Sequence, residues 1–166
     1  TMIQISERVK NLAESATIAM AAKSRELKLA GKDIISLSLG EPDFNTPDFI
    51  KAAAKQAIDD DFSKYMPVPG YLDLREAISE KFKRDNNLDY APDQIVVSTG
   101  AKQSLINTIL SLVNPGDEVI VPAPYWVTYV EQVRMAGGVP VIIETSIDSD
   151  FKITGEQLAN ALTEKS

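Results

Sequence analysis

Beyond Pro92 the chain alternates between two hydrophobic periods, and no other feature limits its fold as tightly. QIVVS, DEVIVP and VPVIIE are short and rich in β-branched residues, whereas AKQSLINTILSLV and YWVTYVEQVRMAG carry apolar residues at helical spacing. Strands alternating with crossover helices predict parallel strands in an α/β sheet. Ligands of such sheets collect beyond the carboxyl ends of the strands, so the loops after Val97 and Val121 are where a site is expected.

The first half of the chain has a different texture. Residues 5–29 read as an interrupted helix that Gly31 stops, and residues 34–37, Ile-Ile-Ser-Leu, read as a short strand. SLGEPDFNTP follows as a turn, with Thr46 as N-cap and Pro47 at the first helical position, where its missing N–H costs nothing. FIKAAAKQAI continues that helix, MPVPGY breaks the chain, and LDLREAISEKFKRDNN resumes helical spacing. Asp59, Asp60 and Asp61 read as a solvated helix end rather than a hard-metal site, because consecutive acids on a helix point apart.

Composition narrows the chemistry. A chain of 166 residues, 44% hydrophobic, can bury one core, which fits a single domain or a piece of a larger one. The net charge of -7 argues against a chain-wide footprint for nucleic acid or an anionic membrane. No apolar run approaches the roughly 20 residues of a membrane span, and no signal-peptide pattern follows Met2, so a cytoplasmic location is expected. Cysteine and histidine are absent, which removes disulfides, thiolate catalysis and the commonest zinc ligands. Catalysis is left to carboxylates, lysine, tyrosine or a cofactor.

Two loops carry that possibility. In VVSTGAKQSL a strand end at Val97 turns through Ser98, Thr99 and Gly100 into a helix near Ala101, so free N–H groups and the positive helix end meet at one point. Such a point suits an anion. An ordinary strand-to-helix turn has the same pattern, and neither a dinucleotide fingerprint nor a P-loop is present. In VPAPYWVTY, Trp126 either covers a planar ring or packs in the core. A phosphate-ready turn beside a stacking indole suggests a phosphorylated aromatic cofactor.

Five segments, ESATIAM, SLSLGEPDFNTP, KYMPVPGYLDLREAI, STGAKQSL and NPGDEVIVPAPYWVTY, resemble in order and spacing the N-terminal part of class I aminotransferases, most of all the bacterial aspartate aminotransferases. The resemblance implies an α/β protein of the pyridoxal-phosphate fold type I. Residues 1–45 would form an N-terminal arm and the start of a small domain, and residues 46–166 the first part of a large, three-layer αβα domain with a parallel sheet. It also implies roles. Gly100, Ala101 and Lys102 would cradle the phosphate of pyridoxal 5'-phosphate, and Trp126 would stack on its ring and border the substrate. Tyr65 would reach the cofactor phosphate of a partner subunit, which implies a homodimer with shared active sites. The Gly40 backbone would meet the substrate α-carboxylate, and Thr17 and Lys102 its distal carboxylate. Relatives that use prephenate carry a lysine where this chain has Ala13, so the resemblance favours aspartate, with an amino group passing to a 2-oxo acid such as 2-oxoglutarate. The family's lysine that holds the cofactor covalently has no matching motif here, so no catalytic residue is assigned and the chain is expected to be a catalytically incomplete fragment. The alternatives are another enzyme of the same fold, a β-lyase or an aromatic aminotransferase, or a folded fragment without catalysis.

Overall fold

The computed structural model describes residues 4–166. Its elements in chain order are α1 (Glu7–Lys10), α2 (Ala16–Leu29), α3 (Asp48–Asp59), α4 (Leu72–Asn86), α5 (Ala101–Leu112), β1 (Glu118–Pro122), α6 (Val127–Ala136), β2 (Val139–Ile143) and α7 (Gly155–Ala161). They form two compact units. One comprises the described residues up to Leu39 together with Lys102–Ser166, the other Gly40–Ala101.

The first unit is built on β1, α6 and β2. The two strands pair in parallel, Glu118 opposite Val139 and Pro122 opposite Ile143, with α6 as the crossover. This is the arrangement that DEVIVP, YWVTYVEQVRMAG and VPVIIE predict. Val121 and Ile143 of the strands and Val130 and Val133 of α6 are its buried core; Val133 is 1% exposed. Val130 and Val133 stand one turn apart, so one stripe of α6 supplies the helix side of that core. α6 ends at Gly137, which takes the left-handed φ of +87°. α2 is capped by the Ser15 hydroxyl, which accepts the Ile18 N–H, and it stops at Gly31 as expected. There the N–H groups of Gly31 and Lys32 donate to the carbonyls of Lys28 and Leu27, a Schellman closure.

The second unit holds α3, α4 and a 3-10 turn at Pro92–Gln94. Arg75 of α4 fastens it: Nη1 donates to the Pro92 carbonyl at 2.7 Å and Nε to the Gly70 carbonyl at 3.2 Å. Both bonds are partly buried, and hydrogen bonds to a charged group contribute about 1.5–3 kcal/mol. Arg75→Leu is therefore expected to lower stability by about 2 kcal/mol, read as a fall in the urea midpoint. The acids at the end of α3 serve as its terminus, Asp59 as last residue, Asp60 as C-cap and Asp61 in the left-handed region at φ +59°.

Several local expectations are corrected. QIVVS does not form a strand. The N–H groups of Gln94 and Ile95 close the 3-10 turn on Ala91 and Pro92, and the Val97 N–H goes to Pro69, so the segment has no ladder partner. Ile95 nonetheless has extended dihedrals and is 7% exposed. Residues 34–37 likewise pair with no strand among the described residues, and Ile35 and Leu37 are exposed. Among the described residues the parallel sheet accordingly has two strands, without QIVVS as a third. Thr46 is not the N-cap of α3. Pro47 occupies that position with extended ψ, and its carbonyl accepts the N–H groups of Ile50 and Lys51. Tyr125 and Trp126 precede α6 rather than opening it, with Trp126 as N-cap. No helix among the described residues is long and apolar enough to cross a membrane.

Candidate active site

The loop leaving the carboxyl end of β1 runs through Ala123, Pro124, Tyr125 and Trp126 into α6. The Thr145 hydroxyl donates to the Ala123 carbonyl and fastens its start to the chain after β2. Trp126 has extended dihedrals, its carbonyl accepts the Tyr129 N–H at 3.0 Å, and its side chain is 44% exposed. The indole is thus held at its backbone and open at its ring.

The same unit brings Lys102 to that ring. Lys102 Nζ lies 5.0 Å from the Trp126 ring centroid, within cation–π range. The lysine backbone is set by Gln132 of α6, which is 7% exposed and whose Nε2 donates to the Lys102 carbonyl at 2.8 Å. The Gln132 Oε1 is buried with no hydrogen-bond partner among the described residues. Gln132 was not singled out in the sequence, where it reads as one polar residue in an amphipathic helix. Thr17 is the second residue of α2 and half-buried, also in this unit.

The other candidates lie in the second unit. Gly100 adopts φ +84°, and a Cβ added there would meet nothing within 4 Å. Its N–H is engaged by the Ser98 carbonyl at 2.8 Å, so the donors offered to an anion begin with Ala101, the first residue of α5. The leading N–H groups of an α-helix have no partner inside it, and Ala101 and Lys102 occupy that position. Gly40 is exposed, has ordinary φ, and has open space where a Cβ would stand. Its backbone is accessible, and no conformational demand explains the glycine. Tyr65 is fully exposed.

In the first unit an exposed indole stands in the loop after β1 with the Lys102 ammonium over one face. In the second, Gly100 leaves room for close approach and is followed directly by Ala101, the first residue of α5.

Comparison with known proteins identifies the family. Residues 32–166 match the model of the family "Aminotransferase class I and II". The chain is 51% identical over 161 residues to an aspartate aminotransferase of Bacillus sp. (strain YM-2), covering 97% of this chain and 41% of that protein. It is also 51% identical over 162 residues to an aspartate/prephenate aminotransferase of Cereibacter sphaeroides, covering 98% of this chain and 40% of the relative. Among solved structures, Thermus thermophilus aspartate aminotransferase with maleate superposes with a TM-score of 0.95 at 44% identity, over 99% of this chain and 43% of that one. The chain spans about two-fifths of the length of these relatives. Its fold is the N-terminal portion of the pyridoxal-phosphate fold type I architecture that they share. By family model, by identity and by fold, the chain belongs to the class I and II aminotransferases.

Proposed function

We propose that the full-length protein is a pyridoxal-phosphate-dependent aminotransferase that moves the amino group of aspartate to a 2-oxo acid such as 2-oxoglutarate. The observation that carries this reading is the Lys102 ammonium over one face of the exposed Trp126 ring, with Lys102 following Gly100 and Ala101 at the start of α5. When bound, pyridoxal phosphate supplies a conjugated electron sink for charge developing at the substrate α-carbon. The chain's own residues bind and orient. The N–H groups of Ala101 and Lys102 donate to the phosphate, where Gly100 permits close approach. Trp126 covers the ring and borders the substrate. The Gly40 backbone meets the α-carboxylate, while the Thr17 hydroxyl and the Lys102 ammonium receive the distal carboxylate of an acidic substrate. Tyr65, free of its own unit's packing, extends to the cofactor phosphate of a second subunit, which makes the working form a homodimer; its proposed location is the cytoplasm. The domain division at residue 45 belongs to the same reading.

No lysine of this chain is assigned the covalent link to the cofactor, so residues 1–166 alone are proposed to be inactive. The test is borohydride reduction of the full-length protein loaded with pyridoxal phosphate, followed by peptide mapping and assay with aspartate, prephenate, cysteine conjugates and aromatic amino acids. The expected result is one stoichiometric modified lysine outside residues 1–166, with aspartate and 2-oxoglutarate as the preferred pair. Modification of a lysine within this chain would sink the assignment of incompleteness, and preference for a cysteine conjugate would move the reading to a β-lyase.

A further inference from the structure

We propose that Glu131 is a positioning residue for the substrate end of the site, its carboxylate holding the N-terminal segment that carries Thr17 against α6. Glu131 Oε2 accepts the Ala13 N–H at 3.0 Å, and Oε1 accepts from Arg134 Nη1 at 2.6 Å. One oxygen therefore faces its own helix and the other a segment 118 residues away in sequence. The Glu131 side chain is 22% exposed, and Arg134, one turn further on, restricts its rotamer.

The surroundings say why such a tie matters. α2 has no fully buried residue, and Ile18 and Met20 are exposed. Where the segment faces α6 there is a cavity of about 380 Å³, lined by Ala13, Ser15, Ala16, Tyr125, Val130 and Glu131 among others. This pocket is open, so the side chains across it do not pack against one another and close packing contributes little to holding the segment there. The hydrogen bond from the Ala13 N–H to the Glu131 side-chain oxygen fixes one point instead. That point is two residues before Ser15, the N-cap of α2, and four before Thr17. A displacement at Ala13 passes through the capped helix start to Thr17. On the other side, α6 begins directly after Trp126. Glu131 thus couples the helix of Thr17 to the helix that follows the stacking indole.

The inference rests on the aminotransferase reading only for the role of Thr17. The experiment compares full-length wild type with Glu131→Ala, Glu131→Gln and Ala13→Pro, the last of which deletes the donor and leaves α6 untouched. Hydrogen exchange of the peptide spanning residues 11–17 is expected to quicken about tenfold in Glu131→Ala. KM for aspartate is expected to rise about tenfold, with kcat and the KM for a donor with an uncharged side chain nearly unchanged. Glu131→Gln, whose amide oxygen still accepts the Ala13 N–H, is expected to stay within about threefold of wild type, and Ala13→Pro to reproduce the rise in KM. Unchanged exchange in Glu131→Ala overturns the tie, and faster exchange with unchanged KM overturns the positioning role. Equal damage from Gln and Ala overturns it too, since the charge alone would then be at work. Should Glu131→Ala fail to fold, Ala13→Pro decides. A wild type without transaminase activity would refute the aminotransferase reading while leaving the exchange comparison valid.

Discussion

Gly70→Ala is expected to destabilise the protein by about 3 kcal/mol. Two costs fall on the same atom. Gly70 is buried at φ +99°, outside the range that a residue with a Cβ occupies comfortably, which costs about 1–2 kcal/mol. The new Cβ would also stand 2.9 Å from Val97 Cγ2 and 3.0 Å from Val97 Cβ. Valine is stiff at χ1, and its Cβ cannot move without the backbone. That backbone is pinned, because the Val97 N–H donates to the Pro69 carbonyl at 3.0 Å. Overpacking of this kind costs about 1–3 kcal/mol. Adding Val97→Ala to Gly70→Ala removes the Cγ2 clash and is expected to recover about 1 kcal/mol relative to additivity, the φ cost remaining. Urea unfolding of the four members of this cycle measures it, and a Gly70→Ala midpoint equal to wild type refutes the account.

Gly70 also shows what a sequence does and does not disclose. MPVPGY announces a break through its prolines and glycine, but not that the glycine is pressed against a valine 27 positions later. Features encoded within a turn or two were legible. The stop at Gly31 and the crossover from DEVIVP through α6 to VPVIIE follow from local spacing and turn chemistry, and the structure has both. The Thr154 and Gln157 capping box that opens α7 was equally local and open to the same reading. Features defined by a partner were not. QIVVS has the composition of a strand, yet a strand exists only where another chain segment takes its hydrogen bonds, and Val97 gives its N–H to a turn. The site divides in the same way. Gly100 and the head of α5 could be read as an anion turn from their order alone. The placement of Lys102 over Trp126, the Gln132 bond that sets Lys102, and the Glu131 bond to Ala13 join residues 24, 30 and 118 positions apart, and no local pattern encodes them. The one local trace of Glu131 was its spacing of three from Arg134 on a helix, which many surface pairs share.

Trp126→Ala in the full-length protein is expected to weaken retention of pyridoxal phosphate about a hundredfold, while Lys102→Met leaves retention within a few-fold and instead raises KM for aspartate about tenfold. The two residues touch, so the contrast has to come from what each presents. Stacking on an indole contributes about 0.5–1.5 kcal/mol beyond the burial of the ring, and burying an aromatic face adds about 1.5–3 kcal/mol, together near the 2.7 kcal/mol of a hundredfold change. Truncation to alanine removes both, whereas Trp126→Phe keeps a ring and is expected to lose no more than about tenfold. On the proposed reading Lys102 would meet the phosphate through its backbone N–H, which methionine retains, and α5 keeps its start because methionine favours helices as well as lysine does. Its ammonium is a different matter. Over the exposed Trp126 ring the cation–π contact contributes only about 0.5–1 kcal/mol, so losing it disturbs the indole little. The same loss leaves an acidic substrate without its charged partner, which falls on KM for aspartate and spares an uncharged donor. Absorbance titration of the apoprotein with pyridoxal phosphate, alongside steady-state kinetics with both donors, separates the two effects. Equal titration curves for Trp126→Ala and wild type would remove the indole from the cofactor site, and a Lys102→Met enzyme with unaltered KM for aspartate would confine Lys102 to its backbone role.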